Sequence, residues 1–501
     1  MTTSHCGVTL PRLYVYDLPE TYHACIDILR LRGADGFPHV VHNATDVLPQ
    51  LRQTHGYALG GVFFARALNY TCLTRNTSHA DLFFVPVLSE SPSCSKRCAE
   101  ANCSKDAIYR RLTHLQARGG HDHVLLSPRQ GWSEDLHPYY GVTFDDKRFG
   151  AASRFSAEEG VQYEWPVPAT RAIFRSTPQA SYIHVSAASR WDDAPWRSDH
   201  PRRVLVGWAS NLHHNYGLFS AQLNVMRNAL HRSCEAAKDR QVCAHLALSP
   251  TSTYRKLFDL KLVQQIGSLY WNTTFCLQPI GDACTRKAII DGLLLGCIPV
   301  LFHPCQKLQW PWHWGGWFLQ ASITLDSGSR SNDSAATRSG RTDPSLGNTT
   351  FGAVEQLQHV PPWKIARMQR TIAEHAHCMH YVVPSSRDEE AFSVQSLHAA
   401  ARNRTHGSHS GHAAKQLGDV PDAFEITLQG AWLLAQHGST FVTPNGTPLR
   451  PQNSTGVSSA SELANAWSTL CRRVPVGPEW KAPICHTVGD DLCTRGDRAT
   501  A

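Results

Sequence analysis

The stretch FCLQPIGDACTRKAIIDGLLLGCIPVLFHP, residues 275–304, decides the fold of this protein. Its apolar start is typical of a buried strand, a proline and a glycine form a turn, and a helix follows that ends near Leu295. Residues 298–302 are apolar again and predict the next strand. A strand, a helix and a second strand in this order predict a parallel sheet within an α/β domain.

Charged and polar residues stand at the turn and on the helix of this stretch. Parallel sheets bind ligands at the carboxyl ends of their strands, where Gly281 and Asp282 form the turn. Thr285 and Arg286 are expected in the first helical turn, whose unpaired N–H groups attract phosphate, and Arg286 adds a guanidinium fork. Further along, Asp291 could accept hydrogen bonds from a ribose. The pattern favours a nucleoside diphosphate; the alternative is a structural ion pair between Arg286 and Asp291.

His303 is a further candidate contact to the nucleotide, and the absence of two motifs narrows the kind of nucleotide. His303 directly follows the strand predicted at residues 298–302, so we expect it at the same sheet edge, in reach of phosphate or sugar. The G-x-G-x-x-G fingerprint and the P-loop motif are both missing from the sequence. A dinucleotide or ATP is therefore not indicated.

Strands and helices alternate twice along the chain. The first set has strands at residues 12–19, 80–88 and 121–127 and a helix that begins at Gly60. The second set begins with a strand at residues 202–210 and a helix at residues 220–237. Strands that alternate with helices predict parallel sheets covered by helices on both faces. The sequence therefore predicts an α/β protein with two Rossmann-like domains facing a cleft.

Composition and turn residues divide the chain further. The predicted segments are, in order, a first Rossmann-like domain (1–195), a Pro- and Trp-rich linker (194–201), a second domain (202–385) with a polar insertion (326–350), a second polar insertion (386–420), a C-terminal helix (421–436) and a cysteine-containing tail (437–501). The polar insertions are expected to be flexible surface segments. Pro421 and Asp422 are the start signals of the C-terminal helix.

The overall composition is that of an ordinary globular protein with a mildly basic surface. The chain has 501 residues, 42% of them hydrophobic, with a formal net charge of +7 and a pI near 8.7. A nucleic-acid-binding protein usually concentrates its lysines and arginines in a patch or stripe, and no such run occurs in the sequence. The sequence therefore predicts no nucleic-acid partner.

Glycosylation sequons and cysteines indicate a luminal or secreted protein. There are ten N-x-[ST] sequons, more than chance placement would give. Their asparagines are Asn43, Asn69, Asn76, Asn102, Asn272, Asn332, Asn348, Asn403, Asn445 and Asn453. The sixteen cysteines agree with an oxidising compartment. Disulfides around loops are expected in two sets, namely Cys94, Cys98 and Cys103, and Cys471, Cys485 and Cys493. The paired C-x-x-C spacing of zinc sites is absent.

The stretch at residues 275–304 resembles the signature of exostosin-type glycosyltransferases, in the subgroup that includes plant xyloglucan galactosyltransferases. Other segments match in the same order: LYVYDLP near the start, ADLFFVPVL, the DHV of HDHVLLS, and DAFEITLQG near the end. The resemblance covers roughly residues 11–430, with insertions. Two positions depart from the family pattern: VGWASN carries Trp208 near an expected glycine-containing turn, and His121 precedes DHV where a basic residue is common.

The resemblance implies a GT-B-like fold that transfers a sugar with inversion and without a bound metal. It implies a UDP-sugar donor carrying galactose, xylose, arabinose or glucuronate, held by the second domain. The acceptor, held by the first domain, would be a cell-wall polysaccharide or a glycoprotein glycan. A homodimer or a heterodimer with related transferases is a further expectation. The alternative is a catalytically inactive carbohydrate-binding or partner protein on the same fold.

The family's functional positions map onto this sequence residue by residue. The resemblance implies that Arg286 neutralises the leaving diphosphate and that Asp291 holds the ribose. It also implies that Gly281, Asp282 and Thr285 line the turn. In the absence of a metal, a cationic group and N–H donors would have to stabilise the departing UDP.

Inverting transfer also needs a general base that takes the proton of the acceptor hydroxyl. Acidic residues and histidines near predicted strand ends are the candidates. These are Asp17, Glu90, Asp122 and His123. We predict Asp122 as the base, with Glu90 as the second choice.

A membrane anchor is not visible in this sequence. The N-terminal residues MTTSHCGVTLPRLYVYDLP contain no apolar core of a signal peptide. The most apolar stretch, residues 288–302, is too short to span a bilayer. We therefore expect an anchor upstream of Met1, in a type II membrane protein whose catalytic part lies in the Golgi lumen.

Overall fold

Within the part of the chain that the structure describes, two five-stranded sheets of parallel strands organise the protein. The computed structural model describes residues 6–18, 37–41, 50–54, 56, 58–86, 105–127, 152–158, 174–212, 220–237, 242–248, 260–281, 284–325, 352–384, 416–437, 441–442, 448–449, 470–477 and 480–483. Helices connect the strands of both sheets. The prediction of an α/β protein with two Rossmann-like domains is confirmed.

The first sheet holds its strands in chain order. Its strands are β1 (Leu13–Val15), β2 (Leu82–Val85), β3 (His123–Ser127), β4 (Ser153–Ser156) and β5 (Phe174–Ser176), and its helices are α1 (Leu59–Leu68), α2 (Lys105–Arg111) and α3 (Thr113–Arg118). Phe84 packs with α1 on one face, and Phe83 packs with α2 and α3 on the other. Because both faces are buried, the residues of β2 (LFFV) are all apolar instead of alternating with polar ones.

The second sheet has the order β10-β9-β8-β6-β7. Its strands are β6 (Val204–Ser210), β7 (Cys243–Ala247), β8 (Thr273–Gln278), β9 (Ile298–Leu301) and β10 (Ile323–Thr324); the helices of this domain are α4 (Ser220–Ala237), α5 (Leu260–Trp271), α6 (Lys287–Leu294), α7 (Ala353–Gln358) and α8 (Pro362–His375). The winding direction reverses at β6, which lies between β7 and β8. The carboxyl ends of β6 and β8 thus form the topological switch point, where open α/β sheets bind ligands.

A glycine lets β6 and β8 approach closely. A Cβ atom at Gly207 of β6 would collide with the Oγ1 of Thr273 on β8. The next residue, Trp208, is fully buried and stacks on His245 of β7 with ring centroids 4.1 Å apart. Trp208 is therefore part of the strand and its core, and it does not enter the turn that follows β6.

The boundary between the two cores lies earlier than residue 195. Tyr182, Val185 and Trp196 are all buried within the core of the second domain. Residues 182–196 therefore pack with the second sheet, including part of the stretch that the sequence presents as a linker. This stretch is packed core instead of an exposed spacer, because its tryptophans remove a large apolar surface from water.

The C-terminal helix predicted at residues 421–436 forms as α9 (Ala423–His437) and returns to the first domain. Phe424 contacts Phe63 of α1, with ring centroids 4.7 Å apart. Asp422, just before α9, accepts a hydrogen bond of 2.7 Å from the Nε of Arg66, and both side chains are almost fully buried. This contact joins segments that are far apart in the sequence.

Five disulfides connect described cysteines. They are Cys6–Cys72, Cys234–Cys243, Cys276–Cys297, Cys284–Cys305 and Cys378–Cys471. Cys471 therefore does not pair within the predicted tail set; it ties the tail to the segment after α8. Cys94, Cys98, Cys103, Cys485 and Cys493 lie outside the described residues.

The polar insertions are only partly described. Residues 326–350 and 386–415 lie outside the described residues. Residues 416–420, predicted as part of a flexible insertion, are described, and Leu417 there is fully buried. The tail contributes a short antiparallel pair, β11 (Phe441–Val442) and β12 (Pro448–Leu449). Among the helices that the structure describes, we find none with the length and apolar character needed to span a membrane.

Candidate active site

Arg286 lies at the topological switch point of the second sheet. Its Nη1 donates to the carbonyl oxygen of Pro279, just after β8, at 3.0 Å, and its Nη2 donates to that of Ala209, near the end of β6, at 3.1 Å. The side chain is half-buried. These two bonds hold the guanidinium at the strand ends, and a guanidinium is a group that binds phosphate oxygens through paired N–H donors. The switch point therefore carries a positioned positive charge.

The turn before α6 is longer than the sequence predicts. Helix α6 begins at Lys287, and Arg286 precedes it in an extended conformation with φ −141° and ψ 132°. Thr285 and Arg286 therefore stand before the first helical turn, which corrects the prediction that they lie within it. The positive end of the helix dipole and the guanidinium are adjacent, and both favour an anion.

Two further predicted residues of the turn, Gly281 and Thr285, lie at the carboxyl edge of the second sheet. Gly281 and Thr285 are buried, and the Thr285 Oγ1 has no hydrogen-bond partner among the described residues. Since buried hydroxyls are normally hydrogen-bonded, a polar ligand at the turn would satisfy this one. Asp282 lies outside the described residues.

His303 follows β9 at the same edge of the sheet. Its Nδ1 accepts a hydrogen bond of 3.2 Å from the backbone N–H of Cys305. When Nδ1 accepts, a neutral imidazole carries its proton on Nε2, which is a donor. The ring could therefore donate to a phosphate or sugar oxygen, as the sequence predicts.

A second arginine joins the same strand ends. Arg227 of α4 donates from Nη1 to the carbonyl of Asn211 at 2.9 Å and from Nη2 to that of Ile280 at 3.2 Å. It is only 4% exposed, so Arg286 is the more accessible of the two guanidinium groups. The sequence analysis missed Arg227 because no local motif marks a single arginine on an amphipathic helix.

Glu158 brings the first domain to this turn. It follows β4, at the carboxyl edge of the first sheet, and its Oε1 accepts a 2.7 Å hydrogen bond from the backbone N–H of Cys284. The residue is 2% exposed. A second hydrogen bond also joins the two domains. The backbone N–H of Trp310, after β9, donates to the Oγ of Ser176 in β5 at 2.7 Å. No sequence pattern marks Glu158, because SRFS (β4) is not apolar enough to predict a strand.

Asp291 is surrounded by hydrogen-bonding groups of the protein itself. Its Oδ1 accepts hydrogen bonds from the Oγ of Ser181 at 2.7 Å and from the backbone N–H of Tyr182 at 2.9 Å. The Nζ of Lys287 lies 2.8 and 2.9 Å from its two carboxylate oxygens. Asp291 is 3% exposed. Its hydrogen-bonding capacity is thus largely used within the protein, and its predicted role toward ribose stays a prediction.

Lys287 is the ion-pair partner of Asp291, whereas the alternative hypothesis named Arg286 as that partner. Among the described residues, Asp291 pairs with Lys287 and not with Arg286. The Lys287 Nζ also lies 3.0 Å from the centroid of the Tyr182 ring. Burial lowers the pKa of Lys287 to about 8, against the attraction of Asp291, so the amine is still protonated at neutral pH. The structural ion pair of this helix is therefore Lys287–Asp291.

Asp122 and His123 lie at the opposite edge of the first sheet. Asp122 precedes β3, so it stands at the amino end of the strand, whereas ligands bind at carboxyl ends. It contacts the His123 Nδ1 at 2.7 Å and is paired with Arg118. Burial raises the pKa of Asp122, but the contacts with His123 and Arg118 outweigh burial, so the pKa is lowered overall. A carboxylate with a lowered pKa is a weaker base. The prediction that these residues face the cleft is corrected.

The other two candidate bases differ in position. Asp17 comes two residues after β1, at the carboxyl edge, and is exposed. Glu90 lies outside the described residues. Asp17 is therefore the described candidate that stands at the edge where an acceptor would bind.

Two cysteines and His303 lie close together beside the turn. The ligand atoms of Cys284, His303 and Cys305 are within 4.8 Å of one another, a grouping that could hold a metal ion. The two sulfur atoms are joined in a disulfide, however, and a metal-binding cysteine must be a thiolate. The Cys284–Cys305 disulfide instead links the turn covalently to the segment after β9. The prediction of no metal stays a prediction.

Comparison with known proteins gives a family match over most of the chain. Residues 9–316 match the Exostosin GT47 domain. Xyloglucan-specific galacturonosyltransferase 1 of Arabidopsis thaliana is 25% identical over 328 residues, which cover 60% of this chain and 45% of that protein. Probable xyloglucan galactosyltransferase GT20 of Arabidopsis thaliana is 26% identical over 334 residues, or 60% of this chain and 53% of that protein. The chain thus spans about half the length of these relatives.

A search of solved structures matches the pneumococcal O-GlcNAc transferase GtfA in complex with UDP and GlcNAc. The two chains share 10% sequence identity with a TM-score of 0.29, over 60% of this chain and 54% of that one. This likeness is too weak to support a functional argument. The Exostosin GT47 match, by contrast, includes both sheets up to β9 and the whole of the turn at Arg286. The chain belongs to the Exostosin GT47 family.

Proposed function

We propose that the chain is an inverting glycosyltransferase that moves a sugar from a UDP-sugar to a glycan. The observation that carries the proposal is the placement of Arg286, whose guanidinium joins the carboxyl ends of β6 and β8 directly before α6. Family membership supports the reaction class. The names of the Arabidopsis relatives refer to galactosyl and galacturonosyl transfer and to xyloglucan, which supports a related sugar and a polysaccharide acceptor.

In the proposed reaction an acceptor hydroxyl attacks C1 of the donor sugar while the bond from C1 to the diphosphate oxygen breaks. The hydroxyl proton passes to a base, for which Asp17 is the described candidate at the correct edge. Negative charge grows on the departing UDP, and Arg286 with the start of α6 stabilises it. Because these groups supply the stabilisation, the proposal includes no bound metal.

A UDP-release assay against a panel of donors tests the proposal. The panel contains UDP-galactose, UDP-xylose, UDP-arabinose, UDP-glucuronate and UDP-galacturonate, each with and without xyloglucan oligosaccharides. We expect UDP release from at least one donor, stimulated by an acceptor. Binding of UDP without release from any donor would instead support the alternative of a non-catalytic carbohydrate-binding or partner protein.

Glu158 should position the donor turn. Glu158→Ala removes the acceptor of the Cys284 N–H, and a buried amide left unpaired costs about 1–3 kcal/mol, so we expect the KM for the donor to rise roughly tenfold. Glu158→Gln keeps a carbonyl oxygen and should restore most of the loss. Steady-state kinetics on both variants checks this, and a large fall in kcat for Glu158→Gln would show that the carboxylate acts as the base.

We propose a luminal location for the described part of the chain, with the Golgi as the compartment and an upstream anchor as in type II membrane proteins. Five disulfides support an oxidising environment. A homodimer or heterodimer with related transferases stays part of the proposal as an expectation. Size measurement of the secreted chain would decide its oligomeric state.

Asn76 should carry a glycan when the protein is made in a secretory host. It is exposed, and its Oδ1 accepts from the Ser78 hydroxyl of its own sequon at 2.7 Å. By contrast, the side-chain amides of Asn69 and Asn272 donate to helix carbonyls and are half-buried. Peptide mapping should therefore find the highest occupancy at Asn76. A bare Asn76 beside occupied Asn69 and Asn272 would contradict this ranking.

A further inference from the structure

A cavity of about 480 Å³ opens on the second domain. It is enclosed by the loop after β9 at residues 312–320, by helix α8, and by the tail segment that contains Cys471 and Arg473. None of the residues that line it belongs to the turn at Arg286, to β6 or to β8. Its size falls within the range of about 300–1,000 Å³ that is usual for small-molecule sites. The cavity is therefore a separate candidate site.

The lining of this cavity is cationic. Arg367 and Arg370 both line it, are exposed, and have no ion-pair partner among the described residues. Arg473 also lines it, but its charge is balanced by a two-pronged contact with Glu374 at 2.7 and 2.8 Å. Burial lowers the pKa of His375 and so favours the neutral form of its ring. Two guanidinium groups of the lining therefore lack an ion-pair partner in the part of the chain that the structure describes.

These two arginines are held toward one side of α8. Residues three and four apart share a helix face, so Arg367 and Arg370 point the same way. The Arg370 guanidinium also lies 5.8 Å from the Trp480 ring centroid, a cation–π contact that limits its motion. Two neighbouring guanidinium forks favour an oxyanion with at least two accessible oxygen atoms, since each fork can make a pair of parallel hydrogen bonds.

Aromatic rings stand beside the charges. Trp317 lines the cavity and stacks on His375 with ring centroids 5.3 Å apart and planes 15° apart. Trp363, one helical turn before Arg367 on the same face of α8, is 61% exposed. Trp317 is 8% exposed, so Trp363 supplies the accessible aromatic surface. An aromatic surface next to a few polar groups suits a ligand with both an apolar face and polar edges. A sugar ring has this character.

We propose that this cavity binds an anionic oligosaccharide, with its carboxylate or sulfate on Arg367 and Arg370 and a sugar ring against the exposed Trp363 beside them. The site is separate from the proposed donor site and does not require transferase activity. Its chemistry does not distinguish a uronate from a sulfate ester, because both present oxygen atoms that match the guanidinium fork. The test therefore uses one uronate probe and one sulfated probe.

Calorimetric titration of the whole chain with trigalacturonate, with a sulfated heparin tetrasaccharide and with neutral maltotriose tests the proposal. We expect binding of at least one anionic probe and none of maltotriose. Replacing both arginines, Arg367→Ala and Arg370→Ala, should weaken this binding at least about tenfold, as expected when charged hydrogen bonds are lost. Both residues are exposed, so the variant should fold.

Arg472→Ala is the matched control, since Arg472 is exposed and neighbours Arg473 but does not line the cavity. It should bind the anionic probe like the parent, and UDP affinity should be unchanged in all three proteins. Binding of neither anionic probe at millimolar concentration, or equal losses in the double variant and the control, would overturn the proposal. A loss of UDP affinity in the double variant would also overturn it, because the cavity would then be the nucleotide site.

Discussion

Arg286→Ala should lower the turnover number about a hundredfold or more, with a smaller effect on donor affinity. Negative charge on the diphosphate grows as the bond to the sugar breaks, so a fixed guanidinium stabilises the transition state more than the bound donor. Loss of one such donor typically costs roughly 10²–10³ in turnover. Arg286→Lys should recover only part of the rate, because an ammonium is a point charge without the planar fork. Steady-state kinetics with the active donor measures both variants.

The competing account makes Arg286 a structural link between the ends of β6 and β8. Arg227→Ala is the matched control, since Arg227 makes the equivalent pair of carbonyl contacts from a more buried position. If Arg286 were only a link, Arg286→Ala would melt earlier, as Arg227→Ala should, and would keep its turnover when folded. Thermal melts and kinetics of the two variants under the same conditions therefore separate charge stabilisation from a structural contact.

Asp291→Ala should destabilise the protein by about 3–5 kcal/mol, the usual cost of breaking a buried ion pair by removing one partner. The side chains of Lys287 and Asp291 are 13% and 4% exposed, so the amine would stay buried without its carboxylate. The Ser181 hydroxyl and the Tyr182 N–H would also lose their acceptor. Urea unfolding of parent and variant measures the difference in the free energy of unfolding.

Two companion variants define what Asp291 does. Lys287→Met together with Asp291→Leu replaces both charges by apolar groups and should be more stable than Asp291→Ala, because no buried charge is left unpaired. Asp291→Asn should bind UDP like the parent if the carboxylate serves only its contacts with Ser181, Tyr182 and Lys287. A clear loss of UDP affinity in Asp291→Asn, with little loss of stability, would instead support the ribose contact that the resemblance implies.

The elements of both sheets follow largely from local pattern. The apolar run at residues 298–302 forms β9, and the helix predicted at residues 220–237 forms with those bounds. Two features of the fold depend on contacts between distant segments, which periodicity does not report. These are the burial of residues 182–196 in the second core and the return of α9 to the first domain.

Some residues of the candidate site could likewise be predicted from local sequence, and others could not. Arg286 could be found from the sequence because strand, turn and helix place it at the sheet edge without help from elsewhere. Glu158 could not, since its partner Cys284 lies 126 residues away and its own strand is polar. The true partners of Asp291 include Ser181, 110 residues away. The error at Asp122 was avoidable: a residue that precedes a parallel strand lies at the amino edge, away from ligands.

The structure of the protein with UDP bound tests the central claim most directly. The account predicts the diphosphate at the carboxyl ends of β6 and β8, with a phosphate oxygen about 3 Å from a nitrogen of Arg286. Density for UDP in the cavity beside α8, or at any other site out of contact with Arg286, would contradict it.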